Sequence, residues 1–194
     1  IDAFIAVYQI TLDEKWLAKS KQLADYAMTH FLDKKSNLFY FTSNASNALI
    51  ARKMEIADNV IPGSNSMLAH NLFLLGHYYS NPTYAKTAEK MLNNIKGDAL
   101  QSPAEYYNWL NLMLNYTNNY FEVAISGKDG LSKTSELQGY YLPNILIAGA
   151  TKESSLPILE NRFMANETYI YVCVNKACKM PETDVAVAVS KIRN

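Results

Sequence analysis

Apolar residues recur at helical spacing through the first 119 positions of the chain, and then the period changes. Ile1, Phe4, Ile5 and Tyr8 follow the i, i+3, i+4, i+7 rule of a single helix face, so residues 1–10 predict a helix. Thr11-Leu12-Asp13 breaks that pattern, and Asp13 is placed to cap a second helix running to about residue 32. Trp16, Leu17, Leu23, Ala24, Ala27 and Phe31 give that helix a broad apolar side. Leu38-Phe39-Tyr40-Phe41 is short and aromatic and predicts a strand, with residues 48–54 as its return. Together they form a β-hairpin inserted between helices. After a loop over 55–63, a third helix spans 64–79 with Met67, Leu68, Leu72, Leu75 and Tyr79 on its buried side. Asn81-Pro82 starts a fourth, because Asn caps and Pro at the first helical position has no N–H to lose. That helix is expected to stop at residue 95, before Gly97. Ser102-Pro103-Ala104-Glu105 combines a capping Ser, a first-turn Pro and a Glu three residues after the cap, and predicts a fifth helix to residue 116.

From residue 120 the chain reads as strand (120–125), loop (127–130), short helix (132–141) and strand (145–147), which is the parallel βαβ unit. Residues 169–173 and the run to 180 predict a hairpin turning at Asn175-Lys176. That register sets Cys173 opposite Cys178 as a non-hydrogen-bonded pair, with Cα atoms near ~4.5 Å, at the short end of disulfide reach. Residues 183–192 alternate Val and Ala with period two, but Thr183 or Asp184 after Pro181 is a helix-start signal, and a helix is expected. The fold class is therefore mainly α. Residues 1–119 form helical hairpins and residues 120–194 a small C-terminal α/β element packed on them.

Composition narrows the functional classes. Lys plus Arg and Asp plus Glu are 18 each, so net charge is zero, and charged residues are 19% of the chain, against ~25% in an average soluble domain. Nineteen Asn and 14 Tyr take their place. No basic run supplies a footprint for nucleic acid. No apolar run is long enough to span a membrane. These residues show no signal-peptide pattern, and two Cys are too few for a disulfide scaffold. A soluble, cytoplasmic setting is the expectation. The chain lacks an initiating Met and starts in mid-helix, as a piece of a longer protein would.

The stretch Arg52-Lys53-Met54-Glu55-Ile56-Ala57-Asp58-Asn59-Val60-Ile61-Pro62-Gly63-Ser64-Asn65-Ser66, with Ala69-His70-Asn71-Leu72, resembles a signature. It is similar to that of the thioredoxin-domain-containing family of spermatogenesis-associated type. That family carries an N-terminal thioredoxin-like domain followed by a helical toroid. Residues 122–125, 141–144 and 171–184 agree with it in collinear order. The family pattern has Pro-Ser-Gly or Pro-Ser-Ala before Asn-Ser, whereas this chain has Pro62-Gly63-Ser64. The resemblance implies a partial α/α toroid like those of six-hairpin glycosidases and sugar epimerases. It also implies that the chain is the C-terminal part of a longer protein. Five helices, where a closed ring needs twelve, imply surfaces that face the N-terminal part or drive self-association of the piece.

In a toroid, loops between hairpins line a central cavity. Glu55, Asp58 and His70 are then candidate catalytic groups for acid–base chemistry on a carbohydrate-like ligand, with Arg52, Asn59 and Asn65 as ligand-binding residues. The alternative is a structured loop in which Arg52 pairs with Glu55 or Asp58, Ser64 or Asn65 caps the helix, and His70 packs. A third possibility is a redox role for Cys173 and Cys178, and a fourth is a non-catalytic scaffold for the thioredoxin-like part. No cofactor is implied. No metal site is expected, because His70 and His77 lie roughly 10 Å apart along a helix. Gly127-Lys128-Asp129-Gly130 lacks the phosphate-loop pattern and reads as an ordinary βα turn.

Overall fold

Seven α-helices and one four-stranded sheet are found among residues 1–46 and 51–193, which this computed structural model describes. In chain order they are α1 (Asp2–Thr11), α2 (Lys15–His30), α3 (Ser64–Tyr78), α4 (Pro82–Gln101), α5 (Tyr107–Thr117), β1 (Phe121–Ser126), α6 (Gly130–Gln138), β2 (Ile145–Ala150), β3 (Tyr169–Val174), β4 (Ala177–Cys178) and α7 (Val185–Arg193). About half of the chain is helical, as a mainly α reading requires. No helix among the described residues is long and apolar enough to cross a membrane.

The residues fall into two compact units. Unit 1 holds Ile1–Asp2, Ala18–Gly76 and Asn81–Thr117, and unit 2 holds Ala3–Leu17, His77–Ser80 and Asn118–Asn194. Besides the C-terminal segment, unit 2 takes two earlier segments, because side chains from them bond to the sheet.

In unit 1, α3 is buried nearly all round, apolar Ala69, Leu72, Phe73, Leu74 and Leu75 together with polar Asn65, Ser66 and Asn71. The single stripe expected for it is too narrow a description. Helix α4 is amphipathic and starts as read, Asn81 Oδ1 accepting the N–H groups of Thr83 (2.9 Å) and Tyr84 (3.3 Å). It does not stop before Gly97. Interior Gly costs about 1 kcal/mol, which burial of Ile95 and Ala99 on either side outweighs.

Two expected elements of unit 1 differ. Ser102-Pro103-Ala104-Glu105 makes only a 3-10 turn, Ser102 giving no side-chain cap, and α5 begins two residues later. Among the described residues the aromatic segment after α2 forms no strand ladder with the residues C-terminal to it. It turns back on the end of α2 through an isolated bridge between Leu32 and Phe39. The N–H of Tyr40 donates to Phe31 O (2.9 Å) and that of Asp33 to Leu38 O (2.8 Å). Asp33 closes this turn by accepting from the Ser36 N–H and hydroxyl. The return strand expected over 48–54 lies partly outside the described residues; at 51–54 the chain is irregular, with Lys53 C=O accepting the Phe41 N–H (2.7 Å).

Unit 2 is built on the sheet, in the order β2-β1-β3-β4. Strands β1 and β2 are parallel with α6 between them in sequence, and β3 is antiparallel to β1, with Val123 beside both Ile147 and Val172. One sheet face, carrying Phe121, Val123, Ile125 and Val172, packs on Leu137 of α6 and on Val185, Ala188, Val189 and Ile192 of α7. Those last four fall at i, i+3, i+4 and i+7, so the Val-Ala alternation is a helix face after all. Asp184 caps it, Oδ1 accepting the Val187 N–H at 2.9 Å.

Strand β2 is a sheet edge, with backbone groups that another strand could pair. Two tyrosines cover it. The Tyr8 hydroxyl donates to Gly149 O and accepts from Gly149 N–H, both at 3.1 Å. The Tyr78 hydroxyl donates to Ile147 O (2.7 Å) and accepts from Gln9 Nε2 (2.9 Å). Burial pushes both phenols well above their ordinary range, so they remain neutral donors. The Leu12 side chain also packs on Gly149, where a Cβ would lie 2.8 Å from its methyl carbons. Tyr78→Phe leaves the Ile147 carbonyl and the Gln9 amide unpaired, and is expected to lower stability by about 1–3 kcal/mol. Urea denaturation followed by circular dichroism checks this, and an unchanged midpoint would show that the hydroxyl does not hold the edge.

Candidate functional site

The loop of residues 52–66 and the start of α3 carry most of the candidate groups, and the backbone there is anchored by Asp58. Its carboxylate is buried and accepts four hydrogen bonds. Oδ1 takes the Gly63 N–H (2.9 Å), the Ser66 hydroxyl (2.5 Å) and Asn108 Nδ2 (3.1 Å), and Oδ2 takes the Asn108 N–H (2.9 Å). Gly63 and Ser66 stand at the start of α3, and Asn108 in the first turn of α5. One side chain thus caps two helices, supplying acceptors to amides that have no partner within the helix. The negative charge also meets the positive ends of both dipoles. The Asp58 N–H donates to Glu105 O at 2.6 Å, and Trp109 Nε1 donates to Ile56 O at 2.8 Å. The cap that sequence assigns to Ser102 is therefore supplied from a distant loop. Burial on its own raises the Asp58 carboxyl, but the bonds from Ser66, Gly63 and Asn108 together outweigh it and hold the group below the ordinary carboxylate range.

Glu55 is exposed and serves the same helix start. Its Oε2 accepts the Ser64 N–H (3.0 Å), and its backbone C=O accepts from Asn65 Nδ2 (2.8 Å). Asn65 is fully buried. Its Oδ1 accepts the Phe39 N–H (2.7 Å) and its Nδ2 donates to Phe39 O (2.8 Å), so the amide pairs with that residue as a strand neighbour would. At Gly63 a Cβ would lie 2.7 Å from Ala57 O, so any larger residue there would force the backbone to shift.

The other candidates are spread out. Arg52 donates to Thr42 O and, at 3.4 Å, to His30 O, and its guanidinium lies 4.0 Å from the Tyr40 ring. Among the described residues it forms no ion pair with Glu55 or Asp58. Asn59 is exposed in a turn, its Oδ1 accepting the Val60 N–H. The ring of His70 stands 6.4 Å from that of Phe73, and burial lowers its affinity for a proton, opposed by the charge of Asp2.

A cavity of about 340 Å³ lies between the aromatic segment and α3, with Phe31, Phe39, Tyr40, Phe41, Met67 and Asn71 among its lining residues. A second, of about 530 Å³, is lined by Phe41, Thr42, Lys53, Met54 and Glu55. Asp58, Asn65 and His70 line neither of them. Phe41 is shared by both and is 65% exposed. Asn71 is 5% exposed, and among the described residues its Oδ1 has no hydrogen-bond partner. Spacing alone did not single out Asn71; the available signal was an amide inside the apolar run of α3.

In unit 2 the predicted hairpin register is found. Cys173 faces Cys178 and Val174 faces Ala177, with Asn175 (φ 51°) and Lys176 (φ 67°) both left-handed as a type I′ turn demands. The two cysteines form a disulfide with Cα atoms 3.9 Å apart. His77 Nδ1 lies 2.7 Å from Oε1 of the buried Glu122.

No family model matches the chain. Human spermatogenesis-associated protein 20 is 24% identical over 197 residues, covering 95% of this chain. The rat and mouse proteins of that name align equally. The chain spans about a quarter (25%) of the length of these relatives. The similarity supports the family resemblance carried by residues 52–66.

Because the carboxyl of Asp58 is held low in the folded state, its contribution to stability is present above the unfolded value near pH ~4. It is lost as pH falls through the lower folded value. Asp58→Ala, which strips both helix starts of an acceptor, is expected to lower stability by about 2–4 kcal/mol. Asp58→Asn should lose less and flatten the fall in stability below pH ~4. Denaturant titrations from neutral pH into acid test both, and parallel pH profiles for wild type and Asp58→Asn would refute the assignment.

Proposed function

We propose that unit 1 is a binding module for a carbohydrate-like small molecule, built on helical hairpins of the kind found in α/α toroids. The observation that carries the reading is Asn71, which lines a mostly apolar cavity together with Ser64 and the aromatic segment, and whose Oδ1 is buried without a hydrogen-bond partner among the described residues. An unpaired buried acceptor costs about 1–3 kcal/mol, a cost that a ligand hydroxyl would relieve. Ligand sites are typically apolar cavities of roughly 300–1,000 Å³ with few polar groups, and the cavity falls in that range. Phe41 offers a free ring face against which the C–H face of a sugar packs. Glu55 stands in the adjoining cavity as a further acceptor.

The reading is of binding rather than turnover. Asp58 spends its lone pairs on four donors, and a carboxylate so stabilised is a poor proton donor at neutral pH. Glu55 already accepts from the start of α3. The roles of Asp58, Asn65 and Arg52 favour a scaffold around the cavity, which fits a non-catalytic part of a longer protein.

A thermal-shift screen of mono- and disaccharides at millimolar concentration is expected to find a ligand that stabilises the chain. Phe41→Ala and Asn71→Leu should each weaken its binding by about tenfold or more. Without ligand, Asn71→Leu should be as stable as wild type or more so, since it removes a buried acceptor at similar volume. Loss of stability in Asn71→Leu, or no saccharide response in wild type, would overturn the proposal.

A further inference from the structure

The Cys173–Cys178 bridge stands in an electrostatic setting that a disulfide itself does not need. Arg162 directs Nη1 to the Cys173 sulfur at 3.6 Å and Nη2 to the Cys178 sulfur at 3.5 Å, with its guanidinium 4.8 Å from the Tyr171 ring. Among the described residues no carboxylate pairs with Arg162 at ion-pair distance, and Glu122 acts on it only from farther away. A neutral disulfide sulfur is a weak acceptor, and half-burying a guanidinium against it gains little. A thiolate at the same place would be strongly favoured by that charge. The bridge also closes a hairpin whose two-residue turn and register already join the same strands, so it adds little restraint to the chain. Cys178 lies on the exposed two-residue strand β4, whereas Cys173 is 2% exposed. Across β1–β3 the partner of Cys173 is Glu122, whose Oε2 accepts the Lys176 N–H (3.2 Å) and whose Oε1 meets His77. The turn carrying the bridge is thus held by a buried carboxylate, independently of the sulfurs.

We propose that Cys173–Cys178 is a redox-active disulfide, opened by a dithiol at the exposed Cys178 sulfur, with Arg162 positioned to hold the departing Cys173 thiolate. One thiolate of the dithiol attacks Cys178 Sγ. A new S–S bond forms there as the Cys173–Cys178 bond breaks, and its electron pair leaves on Cys173 beside Arg162. The second thiol, deprotonated, attacks the reductant's own sulfur in the mixed disulfide. The reductant closes to a cyclic disulfide and Cys178 leaves as a thiolate. Two electrons pass from the dithiol to the cysteine pair. The dithiol's two protons end on the cysteines, or in solvent where Arg162 keeps Cys173 ionised. The assignment rests on unit 2 alone and is independent of ligand binding in unit 1.

The test is native-state reduction of the whole chain by dithiothreitol without denaturant, quenched by alkylation and read by mass spectrometry, with circular dichroism confirming that the fold is kept. Wild type is expected to lose its bridge within minutes while folded. Arg162→Ala should slow reduction about tenfold, and Arg162→Lys, which keeps the charge, should recover much of that loss. In single variants, Cys173→Ser should leave Cys178 open to rapid alkylation, and Cys178→Ser should leave Cys173 protected. Reduction only in denaturant, an Arg162→Ala rate equal to wild type, or equal alkylation of the two single-cysteine variants would each overturn the proposal.

Discussion

A single buried carboxylate organises unit 1. Asp58 ends two helices at once, taking amide and hydroxyl donors at the start of α3 and both donors of Asn108 in the first turn of α5. An ionised carboxylate is tolerated in a buried place when its lone pairs are met by donors and helix dipoles. Here that condition also fixes the course of the loop that supplies it. Glu55, Asn65 and Ser64 are set by the same constraint, since each bonds to the start of α3 or to the segment packed on it.

This arrangement bears on how acidic residues are read in a helical protein. Carboxylates near helix starts resemble catalytic pairs in sequence, because both uses favour loops rich in Asp, Glu and Asn. Geometry separates them by the number of lone pairs already used. Asp58 has four donors, while Asn71, an amide in an apolar run, has an acceptor with none among the described residues.

Unit 2 handles exposed backbone and sulfur by local polar cover. The hydroxyls of Tyr8 and Tyr78 occupy the edge groups of β2 without placing a charge there. On the other side of the sheet order, beyond β3, Arg162 places a positive charge against both sulfurs of the terminal hairpin. The first is neutral satisfaction of hydrogen bonds; the second is a charge whose natural partner is an anion.

Much of this was legible in the amino-acid order. Helical periodicity located α1 to α4, Asn81-Pro82 marked a cap, and the Asn175-Lys176 turn set Cys173 against Cys178. All of these rest on interactions within a few residues along the chain, where local sterics and side-chain period suffice. What remained hidden was decided at long range. Ser102 yields to Asp58 as the cap of α5, residues 38–41 turn back on the end of α2, and α4 runs through Gly97. Arg162 reaches sulfurs eleven and sixteen residues away. Sequence spacing specifies which groups a segment must satisfy or bury. Which distant group meets that need is decided only when packing brings the two together, because a cap, a pairing edge or a counter-charge acts through distance in space and carries no mark in the chain.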